Sequence, residues 1–468
     1  MSDIDQRAEE EKNKGNECYK LKKYQEAIDL YTKSLEIKES APVYCNRALC
    51  NIYLENYGAA VQDAEESVKL DPNFTKLHYK NTKKHFATSK NCVQLKPSDK
   101  IAQSKVTCTR QELRTAEFYK AIQSEKTKPA SETFNWQNIK VEDSYTGKHI
   151  ESLDDIDFDF VQDMIQRLRD QKKLHRKYAA MIILKTIQTM SQTKTLFHVN
   201  VPSDRHITVC GDTHGQYYDL LKIFEVNGSP SESNPYLFNG DFVDRGSFSV
   251  EIVLTLFAYK AAHHDCMFLT RGNHESRHLN RAYGFEGEVK AKYDENMYEL
   301  FQEAFNWLPL AGVLNNKVMV VHGGIPTKDG VTLQEIEKVD RNRDIPEDGI
   351  MCDMLWADPQ KGNGLAPSKR GVSYQFGPDV TKKFLDQNNL SMVVRSHEVK
   401  MDGYEEECEG RLVTIFSAPN YCDSVGNKGA YIHFKGSDMK PIYKQFQASP
   451  HPNVKPMQYS NQLYNQLQ

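Results

Sequence analysis

Three short apolar segments in the middle of the chain each end in a group of polar residues and glycine. These segments, residues 207–210, 236–238 and 267–270, have the length and β-type composition of buried strands. The two stretches between them carry apolar residues at helical spacing. The resulting βαβαβ order predicts a parallel sheet with all three polar groups at the carboxyl ends of its strands. Ligands bind at that edge of open α/β sheets, so the polar groups are candidates for a functional site.

Further apolar segments downstream end in polar residues in the same way. Residues 318–321 lead into His322, and residues 392–394 lead into a group that contains His397. A third segment of this kind ends shortly before Tyr421. We therefore expect several distant parts of the chain to deliver polar side chains to one edge.

Six residues at these strand ends have side chains suited to divalent metal ions. All are oxygen or nitrogen donors, which favours manganese, iron, zinc or magnesium over a structural zinc site built from cysteines. Two aspartates in the set allow one carboxylate to bridge two metal ions, and metal pairs about 3.5–4 Å apart are common in phosphoryl transfer. We therefore predict a site for two divalent ions, whose ligands are Asp212, His214, Asp241, Asn273, His322 and His397.

Other charged residues near these ligands suit the transfer of a phosphoryl group. His274 could act as a general acid, with Asp244 holding its imidazole tautomer. A serine or threonine alkoxide leaves poorly, so a proton from His274 would contribute about 10²–10⁴-fold in rate. Arg245 and Arg370 could clamp phosphate oxygens, because a guanidinium matches a phosphate face in a bidentate manner.

The polar groups form six motifs whose order along the chain is informative. They are Gly-Asp-Thr-His-Gly, Gly-Asp-Phe-Val-Asp-Arg-Gly, Arg-Gly-Asn-His-Glu, His-Gly-Gly, Arg-Ser-His-Glu and Ser-Ala-Pro-Asn-Tyr. In this order they resemble the phosphoprotein phosphatase family of dimetal serine/threonine phosphatases. The resemblance implies hydrolysis of phosphoserine and phosphothreonine by attack of a metal-bridging hydroxide, with His274 as the general acid.

The resemblance also implies a role for each site residue. One metal ion would be held by Asp212, His214 and Asp241. The other would be held by Asp241, Asn273, His322 and His397. The substrate phosphate would contact Arg245, Arg370 and Tyr421.

The amino-terminal part of the chain contains a helical repeat. Tyr24 and Ala27 in the first copy recur as Tyr57 and Ala60 in the second, a spacing of about 33 residues. The region resembles a tetratricopeptide domain, whose repeat is about 34 residues long, and an ordinary helical bundle is the alternative. A third copy, between residues 72 and 97, has only about 25 residues.

These patterns divide the chain into three parts. We expect tetratricopeptide repeats over residues 5–97, with the third repeat shortened, and a linker helix followed by a polar linker over residues 98–140. We expect a serine/threonine phosphatase catalytic domain with a carboxyl-terminal tail over residues 141–468. The fold is thus predicted to be an all-α repeat domain followed by an α/β dimetal phosphoesterase domain, with mixed β-sheets flanked by helices.

Regulation by the repeats is a further expectation from the family. Residues 463–467 of the tail have apolar residues that could dock as a short helix. We expect the repeat domain to hold activity low until a chaperone tail or an amphipathic lipid binds the open form.

Five residues of the repeats match positions that clamp an acidic carboxyl-terminal tail in chaperone-binding tetratricopeptide domains. They are Lys12, Asn16, Asn46, Lys76 and Lys80. Lysines neutralise carboxylates and asparagines donate to main-chain oxygens, although lysines on a helix face are also commonly just solvated. Lys80 stands where the family more often has arginine, and together with the shortened third repeat this predicts weak binding of a heat-shock chaperone tail.

Composition limits the remaining possibilities. A chain of 468 residues requires two or more domains, and a net charge of −4 disfavours a general nucleic-acid binder. The ten cysteines are scattered singly, as in proteins with reduced thiols. No apolar run of about 18 residues occurs, so we expect no membrane insertion. The expected protein is a cytoplasmic monomer that acts on phosphoproteins, with the nucleus as a second location.

Two alternative functions would use the same residues. One is a tetratricopeptide adaptor with an inactive phosphatase-like domain, which the complete ligand set and His274 disfavour. The other is a metallophosphoesterase acting on nucleotides or diesters, which the Arg-Ser-His-Glu and Ser-Ala-Pro-Asn-Tyr segments do not support. Cys108 and Arg114 have the spacing of a cysteine phosphatase loop, but the glycine-rich cradle between them is absent.

Overall fold

A computed structural model of the chain describes residues 3–54 apart from residue 22, several positions between 56 and 70, and residues 128–460. The chain divides into two units, one ending at residue 127 and one beginning at residue 128, and a short segment, 367–373, is not grouped with the second. Each unit is described by itself. Several predicted features lie outside the described residues: Lys76, Lys80, the third repeat, the linker helix, Cys108, Arg114 and the helix of the tail.

Helices form the described part of the first unit, as predicted. They are α1 (Asp3–Lys20), α2 (Tyr24–Ile37) and α3 (Ala41–Tyr53). Gly15 lets α1 approach α2 closely, because a Cβ there would lie 2.6 Å from the ring of Tyr31. Ala27 and Tyr31 are buried on the same face of α2, four residues apart, as the helical period requires.

Eleven further helices are described in the second unit. They are α4 (Ala130–Thr133), α5 (Phe158–Arg169), α6 (Arg176–Ser191), α7 (Tyr217–Asn227), α8 (Ser249–Ala262), α9 (Arg277–Tyr283), α10 (Phe285–Lys292), α11 (Glu295–Trp307), α12 (Leu333–Glu337), α13 (Ile350–Trp356) and α14 (Pro378–Gln387). At the amino-terminal end of the second unit, the N–H and the hydroxyl of Ser131 donate to the carboxylate of Glu303 on α11. The predicted domain boundary at residue 141 stays a prediction. No helix in the described part of the chain combines the length and the hydropathy that a membrane span requires.

The strands of the second unit form three sheets. The strands are β1 (Leu196–Val199), β2 (His206–Cys210), β3 (Tyr236–Asn239), β4 (Met267–Thr270), β5 (Ala311–Leu314), β6 (Val318–Val321), β7 (Asp358–Pro359), β8 (Leu365–Pro367), β9 (Tyr374–Phe376), β10 (Met392–Arg395), β11 (Tyr404–Glu407), β12 (Leu412–Ile415), β13 (Gly429–Lys435) and β14 (Pro441–Phe446). Their orders are β1-β5-β6-β10-β12-β11, β14-β13-β2-β3-β4 and β7-β9-β8.

The two larger sheets face each other as a sandwich flanked by helices. Val209 and Leu237 of one sheet share an apolar cluster with Val320 and Val413 of the other. Strand residues on the opposite face, such as Phe238, pack instead with α5, α6, α8 and α11. This alternation follows from the two-residue period of a strand, and it confirms the predicted mixed sheets flanked by helices.

The polar loops come together where edges of the two sheets meet. β2, β3 and β4 are parallel, as predicted, and β10 is parallel to both β6 and β12. Asp212, just after β2, forms a bridge with Phe416, just after β12. The prediction of a single sheet edge was wrong, because β2, β3 and β4 belong to one sheet and β6, β10 and β12 to another, a division that the periodicity of each separate segment does not reveal.

Candidate active site

Five of the predicted site residues have positive backbone φ angles. Such conformations are uncommon for residues other than glycine and cost about 1–3 kcal/mol each. The surrounding structure must therefore enforce them, which is typical of sites that require fixed geometry. The angles are 40° at His214, 50° at Asp241, 68° at Asp244, 69° at Arg245 and 72° at His397.

Gly272 allows the loop after β4 to lie directly against the loop after β3. A Cβ at this position would lie 2.2 Å from Asp241 Oδ1 and 2.4 Å from Asp241 N. Real Cβ atoms do not approach so closely, so any larger residue would displace Asp241.

Asp212, His214 and Asp241 form the first group of candidate ligands, and all three are buried. His214 Nδ1 donates to the carbonyl oxygen of Val243 at 2.9 Å, which leaves the lone pair on Nε2. Nε2 lies 3.6 Å from Asp212 Oδ2 and 3.5 Å from Asp241 Oδ2. Three acceptor atoms therefore converge without a proton to share.

His322 stands at the centre of the second group. Its Nδ1 donates to the carbonyl oxygen of Asn239 at 2.8 Å, so its Nε2 is again the acceptor. That Nε2 lies 3.2 Å from Asp241 Oδ2, 3.0 Å from Asn273 Oδ1 and 3.2 Å from His397 Nδ1. Asp241 Oδ2 is thus close to Nε2 of both His214 and His322, so Asp241 is the residue that could serve both metal positions.

The chemistry of these atoms fits divalent cations. Hydrogen bonding alone would favour the orientation of the Asn273 side chain in which its amide oxygen and nitrogen exchange places. The NH₂ group would then lie 3.0–3.3 Å from acceptor atoms of His322, His397 and Asp241. A cation would instead be bound by the amide oxygen, the imidazole nitrogens and the carboxylates together. The donor set therefore fits two metal ions that share Asp241, and it lacks the thiolates of a structural zinc site.

Burial controls the protonation of these groups. Burial lowers the pKa of both His214 and His322 below its ordinary value, which keeps the imidazoles neutral as metal ligands require. Burial, with the nearby Asp241 charge, raises the pKa of Asp212 to about 7. A divalent cation among these carboxylates would favour their charged form and reverse that rise.

His274 lies beside the ligands but is held by a different partner. Its Nδ1 is 2.8 Å from Asp244 Oδ2 in a buried contact. The same carboxylate accepts from the Asn280 side chain at 3.1 Å and from the Phe285 N–H at 3.0 Å. His274 packs edge-on against His214, with ring centroids 4.8 Å apart, and could itself join the first ligand group. The bond to Asp244 favours the acid role, because it orients the ring as in a histidine–carboxylate pair.

Comparison with known proteins supports the same class of site. The profile of the calcineurin-like phosphoesterase family matches residues 205–401, and tetratricopeptide repeat profiles match residues 8–40 and 41–74. A profile described as the PPP5 TPR repeat region matches residues 106–198. The two predicted amino-terminal repeats are thereby confirmed.

Full-length relatives decide the family. Serine/threonine-protein phosphatase 5 of Homo sapiens is 49% identical over 98% of this chain and 94% of that protein. Serine/threonine-protein phosphatase T of Trypanosoma brucei brucei is 46% identical over 97% of this chain and 98% of that protein. The chain belongs to the serine/threonine-protein phosphatase 5 family. It is therefore a metal-dependent phosphoprotein phosphatase with an amino-terminal tetratricopeptide region.

A solved relative supports the catalytic fold. The structure of a protein serine/threonine phosphatase from Saccharomyces cerevisiae is 43% identical, with a TM-score of 0.62, and the match covers 64% of this chain and 99% of that one.

The three predicted phosphate contacts occupy different surroundings. The Arg245 guanidinium lies 3.8 Å from the ring centroid of Tyr283, and the Tyr421 ring lies 5.2 Å from that of His214. Tyr421 therefore lies beside the first ligand group, and Arg245 contacts Tyr283, whose ring centroid lies 5.4 Å from that of His274. Arg370 lies on the turn between β8 and β9, where its N–H donates to Ser368 Oγ at 3.1 Å. Its contact with phosphate stays a prediction.

Glu275 contacts the candidate ligand loops, and the sequence analysis assigned no role to it. Its carboxylate accepts from the N–H groups of Asp241, Phe242 and Gly272, each at 2.8 Å. Burial raises its pKa to about 7. Its place directly after Asn273 and His274 in the third motif was the available signal. These bonds hold the loop that carries Asp241, the candidate bridging ligand.

Part of the predicted tail clamp is visible in the first unit. Asn46 Nδ2 donates to Asn16 Oδ1 at 2.9 Å, and Tyr31 donates to the same oxygen at 2.8 Å. Lys12, one turn before Asn16, pairs with Glu9 at 2.6 Å. These three predicted residues thus lie on neighbouring helices, and their binding role stays a prediction.

Proposed function

We propose that this chain hydrolyses phosphoserine and phosphothreonine in proteins with His274 as the general acid. The observation that carries the proposal is the position of Asp241 Oδ2, within 3.5 Å of His214 Nε2 and 3.2 Å of His322 Nε2. An atom so placed can bind two metal ions at once, as two-metal phosphoesterases require.

The residues divide between the two metal positions in the way the family implies. One position is formed by Asp212, His214 and Asp241, and the other by Asp241, Asn273, His322 and His397. Two divalent ions bound there would supply Lewis acidity that activates water and neutralises phosphate charge. Manganese, iron, zinc and magnesium all suit these ligands.

His274 would protonate the departing alkoxide. Its Nδ1 is directed at Asp244, so the proton leaves from Nε2. Because Asp244 is fixed by Asn280 and by the Phe285 N–H, the imidazole cannot rotate freely. The buried carboxylate would also stabilise the imidazolium form from which the proton is given.

Arg245, Arg370 and Tyr421 would bind the phosphate oxygens. Stacking on Tyr283 limits the conformations open to the Arg245 guanidinium, so less entropy is lost when phosphate binds. Its left-handed backbone is held by hydrogen bonds from its own N–H to Tyr283 O and from Met457 N–H to its carbonyl oxygen.

The test of the acid role is the His274→Asn variant of the full chain, with the exposed His198→Asn as the matched control. We expect turnover of a phosphoserine peptide to fall about 10²–10⁴-fold while bound metal is unchanged. An unchanged rate would refute the acid assignment. A substrate panel with a phosphate diester and a nucleotide would expose a different phosphoesterase.

We also propose that the repeat unit restrains activity and that an acidic chaperone tail relieves the restraint. The family resemblance and the adjacency of Lys12, Asn16 and Asn46 support this regulation. The full chain should be slower than a chain that begins at Lys128, which keeps the Ser131–Glu303 bonds. Equal specific activity would rule out autoinhibition. A monomer in the cytoplasm and nucleus is the setting we propose.

A further inference from the structure

A second pocket lies in the catalytic unit and shares none of its lining with the metal-ligand loops. It encloses about 140 Å³ and opens to solvent. A cavity of about 150 Å³ is large enough to bind benzene, and ligand sites are mostly apolar, with a few polar groups that fix orientation. The apolar side of this pocket is formed by Met190, Phe197, Phe268, Leu269 and Pro309.

Lys260, in the last turn of α8, is the charged group of this pocket. Its side chain is 6% exposed, whereas lysine ammonium groups almost always remain in water. In the described part of the chain, its one protein hydrogen bond runs to the carbonyl oxygen of His264 at 2.6 Å. The Phe268 ring centroid lies 5.1 Å away. An ammonium has three N–H donors, so the single described hydrogen bond does not use all of them.

Lys260 differs from a lysine that only caps a helix end, because its ammonium is buried as well as bound to a carbonyl oxygen. A lysine near the end of a helix can bind the last carbonyl oxygens while its ammonium remains in solvent. Here burial lowers the pKa of Lys260 to about 8, so the fold disfavours the charged form. Asp265 offsets this only in part, because it is exposed and pairs with His264 at 3.3 Å. An anion in the pocket would restore the balance.

We propose that this pocket binds a small organic monocarboxylate with an apolar body, whose carboxylate meets the Lys260 ammonium. One buried cation matches one negative charge, whereas the second charge of a phosphate dianion would meet no further lysine or arginine in the lining. Phe197 and Phe268, whose nearly parallel rings have centroids 5.6 Å apart, supply the aromatic part of the lining, so we take the apolar body to be aromatic.

The pocket is remote from phosphate binding. Helix α8 begins shortly after Arg245 and has 14 residues, so Lys260 near its end lies about 17 Å along the helix from its start. A carboxylate bound at Lys260 therefore does not compete with phosphate at the metal ligands.

Chemical labelling of the full-chain protein tests the proposal directly. The probe is 3-phenylpropanoate, and its amide serves as the uncharged control. Acetylation of Lys260 by an N-hydroxysuccinimide ester, followed by mass spectrometry, should slow about ten-fold at about ten times the Kd of the acid. The amide should give no protection, and the exposed Lys222 should label at the same rate throughout. Unchanged labelling of Lys260 would overturn the proposal.

Two variants and a competitor sharpen the test. Lys260→Met should weaken binding of the acid about ten-fold or more in ligand-observed NMR, and Lys222→Met should not. If Lys260→Met fails to fold, a second variant replaces it. His198→Trp enlarges an exposed residue of the lining and keeps Lys260. This variant should block binding of the acid. Saturating inorganic phosphate should leave the protection unchanged. Displacement of the acid by phosphate would place it at the metal ligands and overturn the proposal.

Discussion

The metal-ligand loops and the repeat helices present their polar side chains in opposite ways. Asp241 and His322 are buried, and each is fixed by hydrogen bonds from or to the main chain. Lys12, by contrast, keeps 24% of its side chain exposed and pairs with a neighbour on its own helix. Phosphoryl transfer requires fixed atoms, whereas a flexible acidic tail can adapt to its binder. We therefore expect substitutions in the loops to have far larger effects than those in the repeats.

Among the variants that leave every candidate ligand and His274 in place, Gly272→Ala should have the largest effect. The new Cβ would collide with Asp241 Oδ1, and a displacement of about 1 Å in an active site can cost about 100-fold in rate. Peptide turnover and metal content of the purified variant measure this effect. Gly362→Ala is the matched control, because its Cβ would meet nothing within 4 Å. Normal activity of Gly272→Ala would show that the Asp241 loop tolerates movement.

Glu275→Gln tests the layer behind the ligands. The amide can accept from fewer of the three N–H groups that the carboxylate binds, so metal affinity should fall about 10–100-fold. Titration of the metal-free protein with manganese measures it. The control is Glu225→Gln, a surface residue that pairs with Lys222. Equal metal affinity in Glu275→Gln and the wild type would show that Glu275 does not support metal binding.

Tyr283→Leu should have a smaller effect. Loss of the ring frees the Arg245 guanidinium, and a cation–π contact contributes about 0.5–2 kcal/mol. We expect the inhibition constant of inorganic phosphate to rise about five-fold, and Tyr283→Phe to retain the wild-type value. If Leu and Phe behave alike, the stacking does not position Arg245.

Lys12→Met should have the smallest effect, and we expect that effect to be confined to partner binding. Calorimetry with a peptide ending in acidic residues should show affinity reduced about three-fold, since exposed ion pairs contribute little. Lys14→Met on the same helix, whose side chain is 59% exposed, should bind as the wild type does. A loss of catalytic activity in Lys12→Met would contradict the expectation that this substitution affects partner binding alone.

The same comparison shows how far the sequence could predict the structure. The positions of the candidate ligands at strand ends were predictable because each follows a short apolar strand, a pattern that local periodicity reveals. Glu275, Asn280 and Tyr283 were not assigned roles, because their contacts with Asp241, Asp244 and Arg245 exist only after distant loops meet. The division of strands between two sheets was missed for the same reason.

The most direct test of the account measures metal content and activity of Asp241→Asn beside the wild type. We predict two divalent ions per wild-type chain, with phosphopeptide hydrolysis that disappears on chelation and returns with manganese. The variant should lose both ions and all detectable hydrolysis, because its one side chain serves both positions. A variant that keeps one firmly bound ion, or retains wild-type turnover, would contradict the shared ligand.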